Sequence, residues 1–192
     1  MSSTDKVNWK DRVWIGWLTV HLFVILLVDA VPFYPQELRV PPTSPLHFLE
    51  RLRNYYIATF NDPIVQWTSD LGHDNWIPLF FHIEMLFLLP VCMYTVYSQG
   101  FGNRKVGFTG PEELLYLIYS FVTAFTTLVC VNDVFYWDEA IYDHKAKNVF
   151  LWQLYGPWVL IPGIMFYDMY SRLLRRLRAS ETAVATVEKK IQ

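Results

Sequence analysis

Apolar and polar positions are unevenly spread along the 192 residues. Four windows, 13–34, 76–97, 114–135 and 150–170, are apolar almost throughout, and the segments between them are polar and charged. A helix needs about 20 apolar residues to cross roughly 30 Å of hydrocarbon, so each window predicts one transmembrane helix. The expected fold class is an all-α membrane protein, a four-transmembrane-helix bundle over residues 13–170. A short N-terminal segment, 1–12, precedes it and a basic tail, 171–192, follows. Residues 35–75, between the first two spans, form a loop longer than a plain connection needs. Pro41, Pro42 and Pro45 punctuate this loop. Leu46, Leu49, Leu52 and Tyr56 then recur at helical spacing, which predicts one or two short amphipathic helices capping the bundle.

Composition fits this reading. The chain is 53% hydrophobic and 18% aromatic, above the apolar share of about half that soluble domains reach. Lys6, Lys10 and Arg12 before the first window could belong to a secretory signal. The apolar core is too long for one, however, and Asp29-Ala30-Val31-Pro32 is no small-residue cleavage site, so the window reads as a span. Cys92 and Cys130 both fall inside spans, which leaves no disulfide framework and no zinc spacing. No metal and no cofactor are expected.

Four spans put both termini on one side of the membrane. That side holds 11 Lys and Arg residues and the opposite loops hold five, Arg39, Arg51, Arg53, Lys145 and Lys147. The positive-inside rule therefore predicts cytosolic termini. Arg172, Arg175, Arg176 and Arg178 directly follow the last span, as a stop-transfer anchor does. Lys189 and Lys190, just before the C-terminal residue pair, match a dilysine retrieval signal, an address for the endoplasmic reticulum membrane.

The polar residues inside the spans carry the functional expectation. An acid at a helix centre costs about 2.5–3.5 kcal/mol on insertion scales, so such residues face the interior and find partners. Asp29 sits about 8 Å, and Glu84 about 12 Å, from the lumenal ends of their windows at 1.5 Å per residue. At similar depth they are expected to meet, to share a proton, and to form a polar centre for an amine or hydroxyl on a greasy ligand. His21, eight residues before Asp29, falls on nearly the same face and is a candidate for lining that centre, or else a packed side chain. His82 is out of phase with Glu84. Thr123 and Thr127 share a face and either bond their own backbone or line the site. Gly156-Pro157 and Pro162-Gly163 are expected to disturb the fourth span. Asn61-Asp62-Pro63 reads as an N-cap acid followed by proline at the first helical position.

The segments HLFVILLVDAVPFYPQEL, YYIATFNDPIVQW, FFHIEMLFLLPV and YGPWVLIPGIM together resemble, in order and spacing, the EXPERA-domain family, and its sigma-2 receptor branch more than its sterol isomerase branch. The resemblance implies a dimeric endoplasmic reticulum protein that binds sterols, other lipid-like molecules and cationic amphiphilic amines within the membrane. It carries the roles of amine-binding acid and supporting acid onto Asp29 and Glu84, adds Asp62, and places aromatics of the ligand site at Tyr56, Tyr155 and Trp158. The isomerase branch uses a histidine one turn before the second-span acid, where this chain has Phe80. That departure argues against enzymatic activity. A sterol Δ8–Δ7 isomerase, and a trafficking adaptor or chaperone with a membrane-protein partner, are the alternatives; no nucleic-acid partner is expected.

Overall fold

The computed structural model describes residues 8–67, 76–101 and 107–191; the side chains of 100, 101 and 187–191, with them Lys189 and Lys190, lie outside the described residues. Every regular element among the described residues is helical. Four helical stretches are long and apolar enough to cross a membrane: Trp9–Asp29, Ile77–Gln99, Gly110–Val134 and His144–Thr186. The protein is an all-α, four-span membrane protein. By its internal contacts the chain divides into two compact units, one of residues 12–104 and one of residues 1–11 with 105–192.

The first unit contains most of α1 (Trp9–Val24), which continues as a π-helical turn through Ile25–Asp29 and a 3-10 turn through Val31–Phe33. The long helix thus ends at Asp29, five residues earlier than the apolar window. The loop forms α2 (Gln36–Arg39) and α3 (His47–Phe60). Asn61 ends α3 in a left-handed conformation, φ 53°, which Asn tolerates better than most residues. The buried face of α3 differs from the leucine pattern. Leu49 and Arg53 are buried while Leu52 is 44% exposed. Arg53 wins the inward position because its guanidinium answers two carbonyls of the following loop, Val65 at 2.6 Å and Trp67 at 3.3 Å. The second span is α4 (Ile77–Ile83), a π turn Glu84–Leu88, α5 (Leu89–Thr95) and a further π segment, Val96–Phe101. Trp67 stacks on Phe81 with ring centroids 5.2 Å apart, and Phe33 closes on both rings.

The second unit is built on α6 (Gly110–Val134) and α8 (Gly156–Ile191), which pack along their length. Thr109 opens α6 with a capping box closed by Glu112, satisfying donors that the first turn leaves without partners. Tyr116, Tyr119, Ser120 and Thr123 of α6, and Met165 and Met169 of α8, are buried. At one end Arg176 grips Glu113 with two parallel hydrogen bonds, 2.7 and 3.1 Å, the bidentate geometry that suits arginine. Arg172 bridges Asp11 and Asp168, and Lys10 adds a bond to Asp168 at 3.1 Å. Between α6 and α8 lie α7 (His144–Val149), capped by Asp143, and a π turn Phe150–Leu154. Pro162, expected to interrupt the fourth span, lies inside an unbroken α8; membrane helices tolerate such a proline when neighbouring groups satisfy the freed carbonyl.

Three of the π turns share one cause. Pro32 lies three residues past Asp29, Pro90 two past Leu88, and Pro157 three past Leu154. Proline has no N–H and its ring clashes with the carbonyl four residues back, so the preceding turn widens to i→i+5 bonding. The widened bonds are Ala30 N–H to Ile25, Leu89 N–H to Glu84 and Tyr155 N–H to Phe150. Each leaves the next carbonyl without its usual partner. At the first turn the Tyr34 hydroxyl supplies one, donating to Leu26 at 2.8 Å. At the third turn the Leu151 carbonyl leans on Gly156, where a Cβ would stand 2.5 Å from the oxygen. Gly163 faces open space. Gly156→Ala should therefore lower the thermal midpoint of the detergent-solubilised protein by several degrees. Gly163→Ala should raise it, because a glycine inside a helix costs roughly 0.5–1 kcal/mol relative to alanine. Equal effects in a melting assay would contradict this account of the turn.

Candidate functional site

The polar centre lies in the unit of residues 12–104 and is assembled by the widened turns. Asp29 is the last residue of the first π turn and Glu84 the first of the second. π turns of this kind recur at functional sites because they re-aim side chains without ending the helix. The Asp29 carboxyl is within electrostatic reach of both Glu84 and Asp62. The two span acids are thus electrostatic neighbours, with a loop acid as a third member.

Asp62 is fully buried and does two jobs. Its Oδ1 accepts from the backbone N–H groups of Ile64, 2.9 Å, and Val65, 3.3 Å, as an N-cap does. The structure it caps is a single turn over residues 63–66. Its Oδ2 accepts from the Tyr56 hydroxyl at 2.9 Å. The capping role read from Asn61-Asp62-Pro63 is present, and the second oxygen is what carries Asp62 into the site. Burial, then the Asp62 charge and hydrogen bond and the Asp29 charge, push the Tyr56 phenol far above its ordinary value. The hydroxyl stays a protonated donor at any physiological pH.

His21 stands at this centre: its ring is buried, with Nε2 3.6 Å from Glu84 Oε1. His82 is exposed at the second span, with Nδ1 against the Pro78 carbonyl and its ring edge-on to Phe33 at 6.3 Å; it is out of the site, as its spacing requires.

The other candidates belong to the second unit and are described within it. Thr127 donates to the Thr123 carbonyl at 2.9 Å, and Thr123 and Thr126 likewise bond their own helix. Of the two readings offered for these hydroxyls, backbone bonding is the one present. Tyr155 follows the third π turn, half-buried, with its ring 5.6 Å from Phe150. Trp158, one turn on, is also half-buried, and its backbone N–H donates to the Tyr155 carbonyl at 3.0 Å. Among the described residues no group of three or more His, Cys, Asp or Glu side chains is arranged to hold a metal ion.

A family model, EXPERA (EXPanded EBP superfamily), matches residues 48–169, more than half the chain. The chain belongs to the EXPERA family. Membership marks it as a sterol-related membrane protein. The matched region holds Tyr56, Asp62, Glu84, Thr127, Tyr155 and Trp158; His21 and Asp29 precede it. No curated protein matches this EXPERA chain.

Sequence reasoning missed Arg53 and Tyr34, which support the site from behind. Arg53 pins the loop that carries Asp62, and Tyr34 satisfies the turn that carries Asp29. A buried-face period with arginine in register was the available signal for the first; nothing local marks the second. Asp62→Ala removes a fully buried acceptor of three hydrogen bonds and should destabilise the protein by about 1–3 kcal/mol. Asp62→Asn keeps an acceptor oxygen for the cap and should cost less. Thermal melts of the two variants check this, and an equal loss would contradict the capping role.

Proposed function

We propose that this EXPERA protein binds a sterol-like or other lipid-like molecule, or a cationic amphiphilic amine, at the centre made by Asp29, Glu84 and Asp62, and does so without catalysing a reaction. One observation carries the reading: acids from two apolar spans and a loop converge with a buried imidazole and a phenol donor. Acids in spans are retained where they serve a ligand or ion path. An ammonium group supplies the countercharge that such a cluster lacks, and a sterol hydroxyl can both accept from Tyr56 and donate to a carboxylate. The amine engages Asp29, and the neighbouring Glu84 and Asp62 strengthen the negative potential that attracts it. The sigma-2 receptor-like role, regulation of sterol or cholesterol handling, follows from the family resemblance together with the absence of histidine at position 80.

We place the protein in the endoplasmic reticulum membrane as a homodimer with cytosolic termini. The charge asymmetry between the two sides and the Lys189-Lys190 pair support the location, and the resemblance supports the dimer. One observation favours a second reading. His21 reaches Glu84 from the first span, so an acid–imidazole pair suited to proton transfer is present although Phe80 replaces the histidine expected one turn before Glu84. A sterol Δ8–Δ7 isomerase assay on purified protein decides between them: turnover abolished by His21→Ala would establish the enzyme.

Asp29→Asn should weaken binding of a radiolabelled tertiary-amine amphiphile more than tenfold while the variant melts close to wild type. The tenfold loss corresponds to about 1.4 kcal/mol and is the least expected from losing a charge-assisted hydrogen bond. Unchanged affinity in a saturation assay would defeat the reading.

A further inference from the structure

A second polar feature lies within the unit of residues 1–11 and 105–192. A cleft of about 410 Å³ is lined by Asp11, Phe108, Glu113, Arg172, Arg175 and Arg176, with the Asn8 side chain also on its wall. Arg172, Arg175 and Arg176 sit at i, i+3 and i+4 on α8, so they project from one helix face. Their charges are not equivalent. Arg172 is held by Asp11 and Asp168, the latter also taking Lys10, so these four charges cancel. Arg176 is held bidentately by Glu113 and also donates to the Phe108 carbonyl at 3.1 Å. Arg175 is exposed and has no hydrogen bond or ion pair among the described residues. The two acids of the cleft are thus already engaged, and its uncompensated charge is one arginine fork beside two guanidinium groups fixed in place.

We infer that this cleft binds the phosphate of an anionic lipid headgroup, with Arg175 as the residue that contacts it. An arginine fork matches two phosphate oxygens at once. The cleft falls in the size range of about 300–1,000 Å³ typical of ligand sites, which leaves room for the glycerol or polyol esterified to the phosphate. It lies where α8 leaves the apolar span, at headgroup level, on the side richer in Lys and Arg. By the positive-inside rule that side faces the leaflet that carries anionic lipids. The binding is independent of the Asp29 centre, which lies in the other unit.

The test uses the full chain in detergent, titrated with dioctanoyl phosphatidylinositol 4-phosphate, with dioctanoyl phosphatidylcholine as the neutral comparison and inositol 1-phosphate as the headgroup without lipid. Binding is read by native mass spectrometry. The phosphoinositide should bind saturably, Arg175→Gln should weaken it at least tenfold, and Arg178→Gln, an exposed arginine off the cleft, should leave it within twofold. Because Arg175 makes no bond among the described residues, the variant should melt like wild type. Displacement by inositol 1-phosphate that also depends on Arg175 would support the phosphate site while assigning it to a soluble ligand. Equal losses for the two variants, or equal binding of phosphatidylcholine, would overturn the inference.

Discussion

A carboxyl carried into a hydrocarbon-spanning segment must find a partner, because neither water nor lipid will satisfy it. In this chain Asp29 lies within electrostatic reach of Glu84 and Asp62, and Glu84 stands 3.6 Å from the His21 ring. Much of the surrounding structure serves that requirement. The loop after the first span is folded back by Arg53 so that Asp62 and Tyr56 reach the same centre. The rings of Trp67, Phe81 and Phe33 pack on one another and tie the end of that loop to both spans.

Proline sets the geometry. Pro32, Pro90 and Pro157 each forbid the normal bond of the turn before them, and the turns widen in response. Asp29, Glu84 and Tyr155 then stand at the boundaries of widened turns. A side chain at such a boundary is rotated off the stripe it would occupy in a regular helix. The cost is a carbonyl without its usual partner, answered once by a hydroxyl and once by the close approach of a glycine. The helices therefore stay continuous enough to span while presenting acids inward, a combination that a regular helix at these positions would not give.

This also explains what could be read from the chain alone. Span number and approximate extent follow from apolar length, and the electrostatic proximity of Asp29 and Glu84 follows from depth, because both depend on rise per residue, which a widened turn changes little. Facial assignments depend on rotation and on local partners. His21, read as a candidate for lining the acid centre, stands against Glu84. In the Leu46–Leu49–Leu52 stripe Leu49 is buried but Leu52 is exposed, because two carbonyls of a folded-back loop gave Arg53 the inward position. Asp62 was legible as a cap from three adjacent residues, whereas its bond to Tyr56 depended on how the loop folds back after α3. Family membership rests on the matched region 48–169 and agrees with the resemblance drawn from four short segments.

The central claim is that the acid cluster is where the charged end of an amphiphile is held. An experimental structure of the protein with a bound tertiary-amine amphiphile tests it most directly. The account predicts the ammonium nitrogen within about 3 Å of an Asp29 carboxylate oxygen, a charge-assisted hydrogen-bond distance, with Glu84 and Asp62 on the far side of that carboxylate. An amine seated elsewhere, with Asp29 and Glu84 turned away from each other toward lipid or water, would contradict it.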